Sequence, residues 1–341
     1  MSTPRLFLVV GLGATLIGCR APLRPVFPAV TPPIVWPPPP DQPRVRYIGE
    51  LRGEASLGAR SRGWNALRTL VAGPAAPVEF SRPAAVAVVG QRVFVADTGL
   101  GAVHLLDIDR REHKLILGDP SDPLQTPIDV LALPDETIVV VDRGRAAVDF
   151  LDLDGRWLRT WRSADLRAPV SAAWDARREL LWIADVADHV CYAWQRGEII
   201  RRLGRRGSAP GEFNFPSAVA WNAAAGLVVA DAMNFRVQIF SDQDLPSVVF
   251  GRKGDAAGDF ARPRDVAVDS QGHVYTLDNQ FENVQIFDQA GRLLMALGRG
   301  GAGAGEFALP AGITIDSLDR IWVADSCNRR VQVFQYLPED E

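Results

Sequence analysis

From about residue 78 to residue 337, short apolar runs alternate with polar turns, and the whole pattern returns at a near-constant interval. A proline opens one run in each interval: Pro83, Pro127, Pro169, Pro216, Pro263 and Pro310. An aspartate closes another: Asp97, Asp142, Asp185, Asp231, Asp278 and Asp325. Both markers recur every 42 to 47 residues, so six copies keep step. The fifth copy reads "RPRDVAVD", "HVYTLD", "NVQIFD" and "RLLMALG", separated by "SQG", "NQFE" and "QAG". Strand-length runs rich in β-formers, punctuated by turn residues, predict four β-strands per copy.

Four strands in a repeat of this length form one blade of a β-propeller, so six copies predict an all-β, six-bladed ring. The sixth copy ends with its third strand, "RVQVFQYL", and the chain then runs out. The missing fourth strand is expected from residues 44–51, "RVRYIGEL", an N-terminal latch that closes the ring. Between this strand and the first blade, Ser61 is a candidate N-cap and Gly73 a stop. Trp64, Leu67, Leu70 and Val71 share one face, which predicts a short helix over 61–72 packed across a face of the propeller.

The N-terminus has a different character. Arg5 precedes an apolar run from Leu6 to Ile17, too short for a membrane span and suited to a secretory signal over residues 1–18. It ends in "LIGC", which resembles the bacterial lipobox and implies lipidation of Cys19. Arg20 follows where Asp would hold a lipoprotein at the inner membrane, so export to the outer membrane is expected. Residues 19–43 then read as a tether, because ten of the residues from 20 to 43 are proline and such a segment favours extended polyproline II. Residues 338–341 are an acidic tail.

The net charge of -4 gives no electrostatic reason to expect nucleic acid. No C-x-x-C pair suggests a redox dithiol or covalent haem. Cys191 and Cys327 fall in blades three and six, on opposite sides of the ring, so no disulfide between them is expected.

Two copies share a longer phrase, "GEFNFPSAVAWNAAAGLVVADAMNFRVQIF" and "GEFALPAGITIDSLDRIWVADSCNRRVQVF". The pattern G-x-F-x-x-P, an apolar strand, then V-A-D-x-x-N-x-R-V-Q resembles the NHL repeat, here of a bacterial lipoprotein type. It is strongest in blades four and six, good in five and degenerate in one to three, where the Asn and Arg are lost. An Asp present in every copy cannot be a single catalytic residue. It is expected to accept bonds from backbone N–H groups in the following turn, with Asn234, Arg236, Asn328 and Arg330 extending that packing. The glycine-rich stretches from Gly204, Gly251 and Gly298 lack a P-loop ending and are expected as crossings between blades.

A functional residue should break the repeat where inner strands converge on the central channel. Two residues after each proline stand Ala85, Asp129, Ser171, Ala218, Asp265 and Gly312. Asp129 and Asp265 belong to blades three steps apart, so they are expected to face each other, with Arg264 and Ser171 beside them. Such a pair could hold Ca²⁺ or work as an acid–base couple, or could cap backbone amides. No histidine occupies a channel position; His104 is expected in a third strand, His113 in an outer loop, His189 and His273 in turns. Trp157 and Trp161, on an outer strand, are candidates for an exposed aromatic patch or for packing on the next blade. The resemblance implies a monomeric, lipid-anchored, non-enzymatic scaffold for an envelope or periplasmic protein. The alternative is a Ca²⁺-dependent lyase or lactonase using Asp129 and Asp265.

Overall fold

The computed structural model describes residues 24–58 and 76–337. Cys19, the helix expected over 61–72 and the acidic tail lie outside the described residues. Among the described residues no helix is long and apolar enough to cross a membrane.

Six four-stranded antiparallel sheets follow one another around a ring. Their inner strands are Pro83–Val89, Pro127–Ala132, Pro169–Asp175, Pro216–Asn222, Pro263–Val268 and Gly312–Ile315. Each second strand ends at one of the six repeated aspartates, from Arg92–Asp97 to Arg320–Asp325. The second and third strands are buried on both faces, as in Leu180–Asp185 and Ala147–Leu151, because each blade is sandwiched between two neighbours. The outer strands, such as Leu293–Leu297, alternate between covered and open positions. The core is accordingly divided into wedges, one at each junction between adjacent blades, including blade six against blade one.

The ring is latched as expected. Val45–Leu51 pairs antiparallel with Arg330–Tyr336, with Val45 opposite Tyr336 and Leu51 opposite Val331. Blade six then gains a fifth, two-residue strand, Val35–Trp36, paired with Val45 and Arg46. The proline-rich stretch therefore differs from a free tether. Val26 and Phe27 pack in the wedge between blades six and one, and Val30, Ile34 and Trp36 in the wedge between five and six. The apolar residues between the prolines cover the exposed edge of the latch strand, which would otherwise present unpaired backbone groups.

The three glycine-rich crossings have one geometry. Gly204, Gly251 and Gly298 adopt φ of +84°, +86° and +86°, and a Cβ on any of them would lie 2.2–2.3 Å from the ring of Phe213, Phe260 or Phe307. Only glycine permits both the dihedral and the close approach. The next arginine pairs across the loop with the acid before that phenylalanine: Arg205 with Glu212, Arg252 with Asp259, Arg299 with Glu306.

Candidate functional site: the channel and its two mouths

The repeated aspartates are fully buried. Each binds two segments at once. Asp97 accepts from the N–H groups of Ser81 and Arg82, which enter the inner strand, and of Gly99 and Leu100 in the following turn. Asp185 and Asp278 repeat this arrangement. In blades four and six, side chains replace the turn amides. Arg330 Nε donates to Asp325 at 2.7 Å, and its other nitrogens reach Glu50 and the carbonyls of Gly303 and Glu306. Asn328 and Gln332 donate to the same Asp, Asn328 also to Gly301 O and Gln332 also to Glu306 O. Arg236, Asn234 and Gln238 do the same in blade four. The shared phrase thus ties the crossings from Gly204 and Gly298 to the blades that follow them.

The degenerate blades reach a related result with other residues. In blade two, Arg145 binds Asp142 at 2.8 Å, Asp122 at 3.0 Å, and Asp149, which stands where blades four to six have Gln. In blade one His104 takes that place, 3.4 Å from Asp97 and 3.0 Å from His113. His113 lies in the outer strand Glu112–Ile116, not in a loop, and burial, with His104 beside it, lowers its pKa.

The channel has a waist where Ala85, Asp129, Ser171 and Asp265 converge, and Arg264 and Ser217 line it from the proline end. The waist encloses ≈ 10 Å³, about the space of one water. On the other side it opens into a funnel of ≈ 660 Å³, walled by apolar residues that include Val88, Leu131, Trp174, Trp221 and Ile315. The structure therefore brings together all four residues expected there, Asp129, Asp265, Arg264 and Ser171. Ser217 and the half-buried Trp174 and Trp221 are additional. Their offsets from the proline, one and five residues, carried the signal.

Asp129 Oδ1 accepts from Val130 N at 2.8 Å and Oδ2 from Ala172 N at 2.8 Å, in the next blade. Asp265 Oδ1 accepts from Val266 N at 2.9 Å and Oδ2 from Ile313 N at 2.7 Å, again in the next blade. Ser171 Oγ accepts from Val219 N, and Ser217 Oγ donates to Pro263 O. Polar residues at the waist thus fasten neighbouring inner strands. Burial pushes Asp129 up to about 6, against its backbone bonds and Ser171. Burial and then the charge on Asp129 push Asp265 up to about 7, although Arg264 pulls the other way.

This donor set does not suit a hard dication. Ca²⁺ takes six to eight oxygens, whereas the waist offers two carboxylates already accepting N–H groups, with a guanidinium beside them. Among the described residues no group of three or more His, Cys, Asp or Glu side chains could hold a metal.

Trp161 is half-buried, donating to Gly197 O at 2.9 Å and lying against Trp194, so it packs on blade three. Trp157 is 38% exposed. Cys191 is buried in blade three, Cys327 is exposed in blade six, and neither is bonded.

The NHL repeat family model matches residues 260–287 and 307–334, in blades five and six. No curated protein matches the sequence. Several solved structures share the fold. A Bacteroides thetaiotaomicron protein of unknown function is 16% identical, with a TM-score of 0.61 over 75% of this chain and 70% of that one. A catalytically inactive virginiamycin B lyase variant from Staphylococcus aureus, with quinupristin, is 12% identical, with a TM-score of 0.57 over 77% and 85%. A gluconolactonase from Xanthomonas campestris is 16% identical, with a TM-score of 0.57 over 76% and 87%. At these identities the likeness is one of fold. The chain is a six-bladed β-propeller, two of whose blades match the NHL repeat.

Proposed function

We propose that this propeller is a non-catalytic binding scaffold, exported and held in the cell envelope by a lipid on Cys19, where it engages another envelope protein. One observation carries the reading: the two channel carboxylates, the best catalytic candidates, are engaged in bonds between adjacent inner strands. The lyase variant among the structural neighbours is inactive with a histidine replaced by alanine, and none of the four histidines of this chain lines the waist or the funnel. The lipobox-like "LIGC" and the signal-like run before it support the location.

The alternative, a lyase or lactonase acting in the channel, draws on the funnel and on Asp265, whose raised pKa would suit proton transfer near neutrality. Its metal-dependent form must place a dication beside Arg264. In-cell crosslinking of the full chain, followed by mass spectrometry, separates the readings. The scaffold reading predicts one envelope protein recovered in near-equal amount. No recovered partner, together with turnover of a lactone or a streptogramin by the purified chain, would reject it.

A further inference from the structure

The two faces of the propeller differ in charge. The narrow mouth of the channel is ringed by the segments that enter the inner strands and by the turns after the second strands. These carry Arg82, Arg143, Arg262 and Arg329, all exposed, with Arg264 at the centre. None of the five has an ion-pair partner among the described residues. Burial lowers the pKa of Arg264, which lies beside the carboxylates of Asp265 and Asp129 and also feels the charges of Arg262, in its own strand entry, and of Arg143, across the channel in blade two. Of the acids on these segments, Asp188 pairs with Arg167 and Glu282 accepts from Leu309 N, while Glu79 and Asp165, further back on the strand entries, are exposed. A protein of net charge -4 thus concentrates unpaired cations at one mouth.

The same ring exposes apolar side chains. Phe215, Met233 and Leu309 are 44%, 49% and 51% exposed, and Leu100 is 42% exposed. Arginine, aromatic residues and Met are the types enriched in protein–protein contacts, where they supply both charge pairing and buried apolar area. We propose that this mouth is a docking surface for an acidic peptide segment of a soluble partner protein. Its carboxylates would pair with the arginine ring, and its apolar residues would cover Phe215, Met233 and Leu309.

The path of the N-terminus favours a soluble partner over lipid. Arg24 O accepts from Arg111 Nη2, in the turn after Asp107, on the funnel side of blade one. Cys19 is five residues upstream, within roughly 18 Å of chain. In the lipid-anchored scaffold reading, on which this inference rests, the membrane lies toward the funnel and the arginine mouth faces away from it.

The test uses the soluble chain from residue 24 and a short fluorescein-labelled peptide of glutamates around two central leucines, read by anisotropy. Binding is expected, weakening with salt. The triple replacement Arg82→Ser, Arg143→Ser, Arg262→Ser should weaken it roughly tenfold, with unchanged melting because these side chains are exposed. Arg110→Ser with Arg156→Ser, on the funnel side, should leave it unaltered. A peptide with lysine in place of glutamate should not bind. Binding insensitive to the triple replacement would overturn the proposal. So would absent peptide binding with arginine-dependent sedimentation on phosphatidylglycerol-containing vesicles, which would point to lipid instead. If crosslinking still recovers a partner from cells carrying the triple replacement, this face is rejected while the scaffold reading stands. Loss of that partner only in the triple variant supports both.

Discussion

Each repeated aspartate replaces several waters with backbone donors held in fixed directions, and in blade six it also neutralises a buried arginine. Asp325→Ala would leave Arg330, which is 1% exposed, with its Nε unpaired, and would strand Asn328, Gln332 and the Ala308 N–H as well. Removing one partner of a buried ion pair costs about 3–5 kcal/mol. Urea unfolding should show a loss of that order, against about 1–2 kcal/mol for Asn328→Ala, which removes one bond to the carboxylate and one to Gly301 O at a more open site. Equal effects would mean that the aspartate is no more than one hydrogen bond among many.

The channel carboxylates titrate in the opposite sense from ordinary surface acids. Their folded-state pKa values, about 6 for Asp129 and about 7 for Asp265, lie above unfolded values near 4. Folding therefore retains protons that the unfolded chain has released, and stability falls as pH rises through that window. The melting temperature is expected to drop between about pH 4 and pH 7. Asp265→Asn should flatten this drop, since it removes one of the charges. It should also lower stability at pH 5, since the amide nitrogen cannot accept from Ile313 N. An unchanged pH slope would contradict the account. Counting two residues from each proline located both carboxylates in the sequence. Their bonding to the next blade was not legible, because it depends on how closely adjacent inner strands approach.

At the scale of elements, the repeat period made the strands legible, and the unpaired third strand of blade six made the latch legible. What escaped was the packing of residues 26–36, because proline content dominates that stretch while the five side chains that pack are scattered through it. Trp36 lies edge-on to Phe334 at 5.7 Å and would clash with any side chain at Gly305. Three chains separate the contributions. One beginning at residue 24 should melt highest, one beginning at 41 lower, and one beginning at 53 lowest, with the last step the largest because it removes the whole latch strand. Equal melting of the last two would show that the N-terminal strand does not close the ring. Blade two shows why the degenerate repeats were harder to read. Arg145 sits two positions before the usual arginine yet reaches the same aspartate, so a fixed motif passes over it.

For the whole molecule, polar residues at the waist fasten four of the six blade junctions, while the N-terminal strand completes blade six: Asp129 fastens blade two to three, Ser171 three to four, Ser217 four to five and Asp265 five to six. A waist built this way stabilises the propeller and leaves the mouths for recognition. A catalytic waist would instead spend stability on unpaired or metal-bound carboxylates. The most direct measurement is metal content and melting of the chain purified without chelator, beside an Asp129→Ala, Asp265→Ala double variant. No bound metal is expected in either, with a melting temperature clearly lower in the variant. One tightly held Ca²⁺ per chain, lost in a variant that melts unchanged, would contradict that expectation and make the channel a metal site.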